Sequence, residues 1–217
     1  MQRQELVNSQ PVDSEVIIET RELSRVYPGV VALDSVNYRV YRNKVNVLIG
    51  ENGAGKSTMM KALAGVETPS SGQIILDGAP VTLSSTHQAE KQGISIIFQE
   101  LNLFPNMNVM DNIFMANEFF QKGKINEKYQ YELAKSLLER LELNVDPYTQ
   151  LGELGIGHQQ LVEIARALSK DTRVLIMDEP TSALSQSEVK ILFNVIEQLK
   201  RRGVTIIYIS HRLEELM

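Results

Sequence analysis

Eight consecutive residues, Gly50-Glu51-Asn52-Gly53-Ala54-Gly55-Lys56-Ser57, constrain this chain more than any other stretch. They fit the pattern G-x-x-x-x-G-K-[ST] without a mismatch. The flanks are those such a loop needs. Val45-Asn46-Val47-Leu48-Ile49 reads as a buried strand leading in, and Thr58-Met59-Met60-Lys61-Ala62-Leu63-Ala64 as a helix leading out, ended by Gly65. Glycines let successive backbone N–H groups curl around a phosphate, and the helix directs its positive end at the same anion. Lys56 has the reach for β- and γ-phosphates, and the Ser57 hydroxyl is a ligand for Mg²⁺. The stretch implies a nucleoside triphosphate and does not separate ATP from GTP.

The rest of the chain limits what such a site serves. At 217 residues there is enough chain for one large domain or two small ones with ample core. A net charge of −5 argues against nucleic-acid binding by bulk charge, and no nucleic-acid partner is expected. Without cysteine there are no disulfides and no thiolate metal sites, which suits a reducing compartment. No apolar run reaches membrane-spanning length, and the N-terminus lacks a basic-then-apolar leader pattern. The expectation is a cytoplasmic protein that meets a membrane only through a partner.

Read in order, residues 1–15 form a loose polar tail. Val16 to Thr20 begin a strand, Tyr27-Pro28-Gly29 is a turn, and Val36 to Val40 alternate as a second strand before the turn Arg42-Asn43-Lys44. After the loop helix come a short strand Gln73–Leu76, a hairpin turn Asp77-Gly78, a short helix over 86–92 ended by Gly93, and a strand Ile94–Phe98. From about 100 to 157 the pattern turns helical, which reads as an insertion. There Asn126 caps a helix with Tyr129, Leu133, Leu137, Leu138 and Leu141 on one side, ended by Pro147. A second helix runs from His158 through Leu161, Ile164, Ala165 and Leu168. Arg173-Val174-Leu175-Ile176-Met177 is a buried parallel strand ending in Asp178-Glu179. Ser185-Gln186-Ser187-Glu188 is a capping box for a helix through Val189, Leu192, Ile196 and Leu199. Thr205–Ile209 is the last strand, and a further helix begins before Met217.

Two acids just past a buried strand stand where ligands of α/β sheets gather. Asp178 is placed to hold Mg²⁺ and Glu179 to orient and deprotonate a water. Gln99 follows another strand and reads either as a sensor of Mg²⁺ and the attacking water or as an exposed loop amide. His211 follows a third strand. Its imidazole can donate a hydrogen bond to a γ-phosphate, but on chemistry alone a satisfied structural histidine is the better reading.

In this order the residues resemble the nucleotide-binding subunit of ATP-binding cassette transporters, over nearly all of Glu19 to Met217. The matching stretches are Gly50–Ser57 (Walker A), Gln99 (Q-loop), Val174–Glu179 (Walker B with the catalytic Glu) and His211 (switch His). The resemblance implies a P-loop, RecA-like α/β core with an antiparallel β subdomain and a helical insertion. It places Tyr27 where an aromatic stacks on adenine, and adds Thr58 to the phosphate-binding run. Tyr27-Pro28-Gly29-Val30-Val31-Ala32-Leu33, Gln159-Gln160-Leu161-Val162-Glu163-Ile164-Ala165-Arg166-Ala167-Leu168 and Ile209-Ser210-His211-Arg212 look like the branch that imports ribose, galactose and xylose. The likeness implies an ATP hydrolase that uses ATP and Mg²⁺ and lies peripheral to the inner face of the membrane. Its implied partners are a second cassette, a permease and a periplasmic-type sugar-binding protein.

Two segments depart from the family pattern. The signature Leu-Ser-Gly-Gly-Gln is replaced by Leu154-Gly155-Ile156-Gly157-His158, and the turn that usually ends Ala-Leu-Asp reads Ser182-Ala183-Leu184-Ser185. In the family two cassettes pair head to tail and each signature faces the partner's phosphate loop. A weakened signature here therefore affects the partner's site. The resemblance also implies a polypeptide of roughly twice this length, so the expectation is the first half of a two-cassette protein, cut after the switch His and weakly active alone. An ATPase of DNA repair or translation would need coiled-coil insertions or a basic face, and neither is found. A regulatory half with little catalysis is opposed by Glu179.

Overall fold

The structure is a computed structural model that describes residues 15–51 and 53–211. The expected tail over 1–14, the phosphate-loop residue Asn52, Arg212 and the helix expected after it lie outside the described residues.

Two four-stranded sheets organise the chain. The first is antiparallel. β1 (Val16–Tyr27) and β2 (Val30–Tyr41) form a long hairpin, and β4 (Ser71–Leu76) and β5 (Ala79–Val81) form a second, in the order β2-β1-β4-β5. The β4–β5 turn is Asp77-Gly78, with φ of 50° and 79°, the left-handed pair that suits the twist of a two-residue hairpin. The strand expected over Val36–Val40 is the end of the longer β2.

The second sheet is parallel. β3 (Val45–Ile49), β6 (Ile94–Ile97), β9 (Val174–Asp178) and β10 (Thr205–Ser210) lie in the order β3-β10-β9-β6. Strand alternation divides its side chains between two cores. Val174, Ile176, Ile207 and Ile209 join β1, β4 and helix α1 (Lys56–Leu63) on one face. Leu175, Met177, Ile206 and Tyr208 face the helices on the other. All of β9 and β10 is buried, which explains why both read as continuous apolar runs.

Between β6 and β9 lies the predominantly helical stretch. It holds α3 (Val109–Phe114), α4 (Glu127–Arg140), a 3₁₀ turn (Leu151–Glu153) and α5 (Ile156–Leu168); α2 (Thr86–Lys91) precedes it and α6 (Gln186–Arg201) follows β9. Asn126 caps α4 by accepting from the Tyr129 N–H, and Ser185 and Glu188 form the full capping box of α6.

Several sequence expectations are corrected. β3 is an edge strand among the described residues, so Val47 and Ile49 are 38% and 42% exposed rather than buried. The middle stretch is not wholly helical. β7 (Phe120–Gln121) and β8 (Lys124–Ile125) pair antiparallel around Lys122-Gly123, both left-handed. α4 ends at Arg140, with Glu142 left-handed at φ 56°, well before Pro147. Its buried face is Gln130, Ala134, Leu137 and Leu138, while Tyr129 is exposed, because the helix turns that flank toward solvent. α5 starts two residues earlier than expected, since Gly155 serves as its N-cap. Among the described residues no helix is long and apolar enough to cross a membrane.

Candidate functional site at the C-terminal edge of the parallel sheet

Strand register gathers the candidate residues. Ser210 pairs with Ile49, so Gly50 and His211 each lie one residue beyond that pair. Ile209 pairs with Asp178, and Ile97 with Met177, so Gln99 and Glu179 each lie two residues beyond the latter. Four loops therefore leave the same edge of one sheet, at its carboxyl ends, where parallel sheets bind ligands.

The loop after β3 is built for an anion. Gly53 and Gly55 have φ of 85° and 83°. A Cβ at Gly55 would lie 2.5 Å from the Ala32 carbonyl oxygen and 2.9 Å from Leu33 Cδ2, so only glycine fits between loop and β2 hairpin. Gly55 is also the N-cap of α1. It offers no side-chain cap, and the first turn carries no acid. Among the described residues no side chain caps the first turn of α1, so its amides are open to an anion. Lys56 is buried, and its Nζ donates to the carbonyls of Gly50 (2.6 Å) and Glu51 (2.9 Å), which holds the ammonium over the loop. The Ala54 N–H donates to Glu51 O at 3.2 Å and tightens the turn. Ser57 is exposed and Thr58 half-buried at the start of the helix.

Ser57 Oγ lies 3.5 Å from Asp178 Oδ1. Burial pushes the Asp178 carboxyl above its usual range; the Ser57 hydroxyl and the Lys61 and Lys56 ammoniums oppose that rise and the neighbouring Glu179 adds to it. A hydroxyl and a partly desolvated carboxylate side by side are hard oxygen donors that suit Mg²⁺, whose charge would offset the cost of burying Asp178. The residues present therefore fit the expected cation.

Glu179 leaves the strand in a left-handed conformation, φ 48°, while its N–H stays bonded to Ile209 O at 3.1 Å. Its Oε1 is 3.0 Å from His211 Nδ1. The contact puts the imidazole beside the carboxylate that follows β9. Gln99 is exposed just past β6.

Tyr27 ends β1. The Arg25 guanidinium lies over its ring, 4.8 Å from the centroid, and its hydroxyl hydrogen-bonds to Glu67 beyond α1. The half-buried ring stands on the hairpin that abuts Gly55. The remaining candidates, Leu154 to His158, lie apart, at the start of α5. Gly155 and His158 are exposed, and the Gly157 N–H is bonded to Glu188.

One arrangement escaped sequence reading. Glu163, buried on α5, accepts from the Asn102 N–H at 3.2 Å, and Arg166 Nη1 donates to the Asn102 carbonyl at 2.8 Å. Two side chains three residues apart on one helix thus hold both polar groups of a residue three beyond Gln99. The signal was an acid, Glu163, inside the apolar stripe of α5.

Comparison with known proteins gives the family. A family model described as ABC transporter matches residues 33–182. The chain is 50% identical over 205 residues to the xylose import ATP-binding protein XylG of Thermoanaerobacter pseudethanolicus, covering 94% of this chain and 41% of that protein. It is 47% identical over 206 residues to the ribose import ATP-binding protein RbsA of Rhodopirellula baltica, covering 94% and 40%. It spans about two fifths of the length of the curated relatives it matches. A crystal structure of a nucleotide-free ATP-binding cassette from an ABC transporter superposes with a TM-score of 0.80 at 27% identity, covering 93% of this chain and 83% of that one.

Proposed function

The chain belongs to the ABC transporter family, and from that premise we propose that it binds and hydrolyses ATP to energise sugar import through a membrane permease. The observation that carries the reading is the common sheet edge that brings Gly50–Ser57, Asp178, Glu179 and His211 together. Identity near one half to xylose and ribose import proteins supports the sugar branch.

In this reading the amides of Gly53 to Thr58, with Asn52, bind the phosphates, and Lys56 exchanges its two carbonyl partners for phosphate oxygens. Ser57 and Asp178, with Gln99, hold Mg²⁺, which when bound neutralises charge on the phosphates. Glu179 orients a water and takes its proton. His211 steadies Glu179 through the Nδ1 contact. Tyr27 offers its ring to the base. Leu154–His158 at the start of α5 complete the site of a second cassette, and the helical stretch after Gln99 docks on the permease. A periplasmic-type binding protein delivers the sugar, and the chain works at the inner face of the membrane.

ATP hydrolysis by the chain alone, and then with an added cassette carrying an intact Leu-Ser-Gly-Gly-Gln signature, tests this. Weak hydrolysis alone and stimulation on addition are expected. Vigorous, cooperative hydrolysis by the chain alone would overturn the composite-site reading.

A further inference from the structure

Glu188 is bonded on both of its carboxylate oxygens, to two different elements. Oε2 accepts from the Ser185 N–H (2.8 Å) and from the Ser185 hydroxyl (2.6 Å), within the capping box of α6. Oε1 leaves that box and accepts from the Gly157 N–H at 3.0 Å, in the first turn of α5 and 31 residues away in sequence. A capping box needs the Ser185 N–H bond to Oε2 and the Glu188 N–H bond to the Ser185 hydroxyl oxygen (3.4 Å), and nothing at Oε1. The Oε1 bond belongs to α5, whose N-cap Gly155 has no side chain to satisfy the amides of its first turn. The fit is close: a Cβ on Gly157 would lie 2.5–2.7 Å from Oε1, Cγ and Cδ of Glu188. The Ser185 hydroxyl, the Ser185 and Gly157 amides and nearby His158 hold the carboxyl below its usual range, with the Ser185 hydroxyl contributing most, so it is an anion at neutral pH.

What the anion joins gives it a role. Ser185 ends the turn that comes after Glu179, and the Glu179 N–H is tied to β10. Gly157 lies within Leu154–His158, the segment proposed to complete a partner's site. We propose that Glu188 is a positioning residue that fixes the start of α5 to the turn after Glu179, so that the signature segment and the strand end bearing Glu179 move as one body. The consequence for turnover rests on the proposed function, while the clip itself does not.

Residue-resolved amide hydrogen exchange on the 15N-labelled 217-residue chain tests the clip without nucleotide. Glu188→Ala should speed exchange at Gly157 about tenfold or more and shift its amide resonance, the scale of losing a charge-assisted hydrogen bond. Ser185→Ala, which removes the capping hydroxyl, should loosen the first turn of α6 and leave Gly157 within about twofold. Glu188→Gln keeps an oxygen acceptor and should bring Gly157 back toward the parent rate. Unchanged Gly157 exchange in Glu188→Ala, or equal opening in Ser185→Ala, would overturn the proposal. If Glu188→Ala does not fold, the Gly157 resonance in Glu188→Gln decides, and a resonance identical to the parent's counts against the clip. With a second cassette added, Glu188→Ala should lower kcat several-fold at unchanged KM for MgATP; an unchanged kcat with an opened Gly157 amide would remove the positioning role. The exchange result stands whether or not the chain hydrolyses ATP, so failure of the function and failure of the clip are separately visible.

Discussion

His211 Nδ1 lies 3.0 Å from Glu179 Oε1, joining the residue after β10 to the residue after β9. Both strand ends are pinned, since Ile209 pairs with Asp178 and the Glu179 N–H bonds Ile209 O. The pair therefore has little freedom beyond side-chain rotation, and the imidazole sets where the carboxylate points. Glu179→Gln keeps the shape and loses the base. Turnover should fall by about 10²-fold or more while ATP still binds. Phosphate release and calorimetric ATP titration check both halves; unchanged turnover would remove Glu179 from its role as the base.

His211→Ala leaves the carboxylate in place and frees its direction. Turnover should drop less than in Glu179→Gln, by roughly tenfold, as expected for loss of orientation rather than of the base itself. ATP affinity should stay within about twofold, because the proposed phosphate contacts lie on the loop after β3 and not on His211. A drop in ATP affinity equal to the drop in rate would place His211 in binding instead.

Asp178 carries a conflict between stability and function. Burial disfavours its charged form, and an adjoining cation would relieve the cost. Asp178→Asn removes the charge and keeps the volume. The nucleotide-free chain should be as stable as the parent or about 1 kcal/mol more so, while the gain in ATP affinity on adding Mg²⁺ disappears. Urea unfolding and ATP titrations with and without Mg²⁺ report the two effects. A variant that loses stability and keeps its Mg²⁺ dependence would reverse the assignment.

Gly55→Ala tests the loop by sterics alone. The residue has φ 83°, and the added methyl would sit 2.5 Å from the Ala32 carbonyl oxygen. Backbone strain and overlap together should cost roughly 2–4 kcal/mol. Because the overlap is with backbone, the loop must move to accommodate it, so ATP affinity should fall with stability. A chain of parent stability with intact ATP binding would show that the hairpin yields freely.

What the sequence made legible is what is local. Gly50–Ser57 with its flanks, Asp77-Gly78, the Ser185–Glu188 box and the apolar runs of β9 and β10 each depend on neighbours within a few residues. The edge position of β3 was not legible, because Val45–Ile49 has the composition of a buried strand and its exposure depends on which strands pair beside it. The Lys122-Gly123 hairpin lacked an Asn-Gly or Asp-Gly signal. The two contacts that tie the site's loops together were the least visible. Glu163 reaches Asn102 across 61 residues, and Glu188 reaches Gly157 across 31. Together they make a chain of contacts: from Glu179 through Ser185 and Glu188 to α5, and along α5 through Glu163 and Arg166 to the loop that carries Gln99.

Glu163 gives that chain of contacts a pH dependence. Its Oε1 accepts from Asn102, while its Oε2 is buried without a hydrogen-bond partner, beside a cavity of about 180 Å³ lined also by Ser95, Phe98 and Arg166. Burial pushes its pKa from 4.5 to about 7, against the opposing pull of the Asn102 N–H and Arg166. A folded value above the unfolded one means the native state binds the proton more tightly. The resulting stabilisation is complete below pH 4.5 and is lost as pH rises through about 7. Its upper limit is roughly 3 kcal/mol, at about 1.4 kcal/mol for each tenfold difference in proton affinity. Other carboxyls titrate over the same range, so the test is the difference between the parent and Glu163→Gln, which mimics the neutral acid and still offers an oxygen to Asn102. Relative to the parent, Glu163→Gln should gain stability between about pH 5 and pH 8, read from urea midpoints at each pH. The Asn102 amide should report the same titration in the parent by its chemical shift and stay flat in the variant. A stability difference independent of pH would mean that Glu163 is charged throughout and that Arg166 compensates it fully.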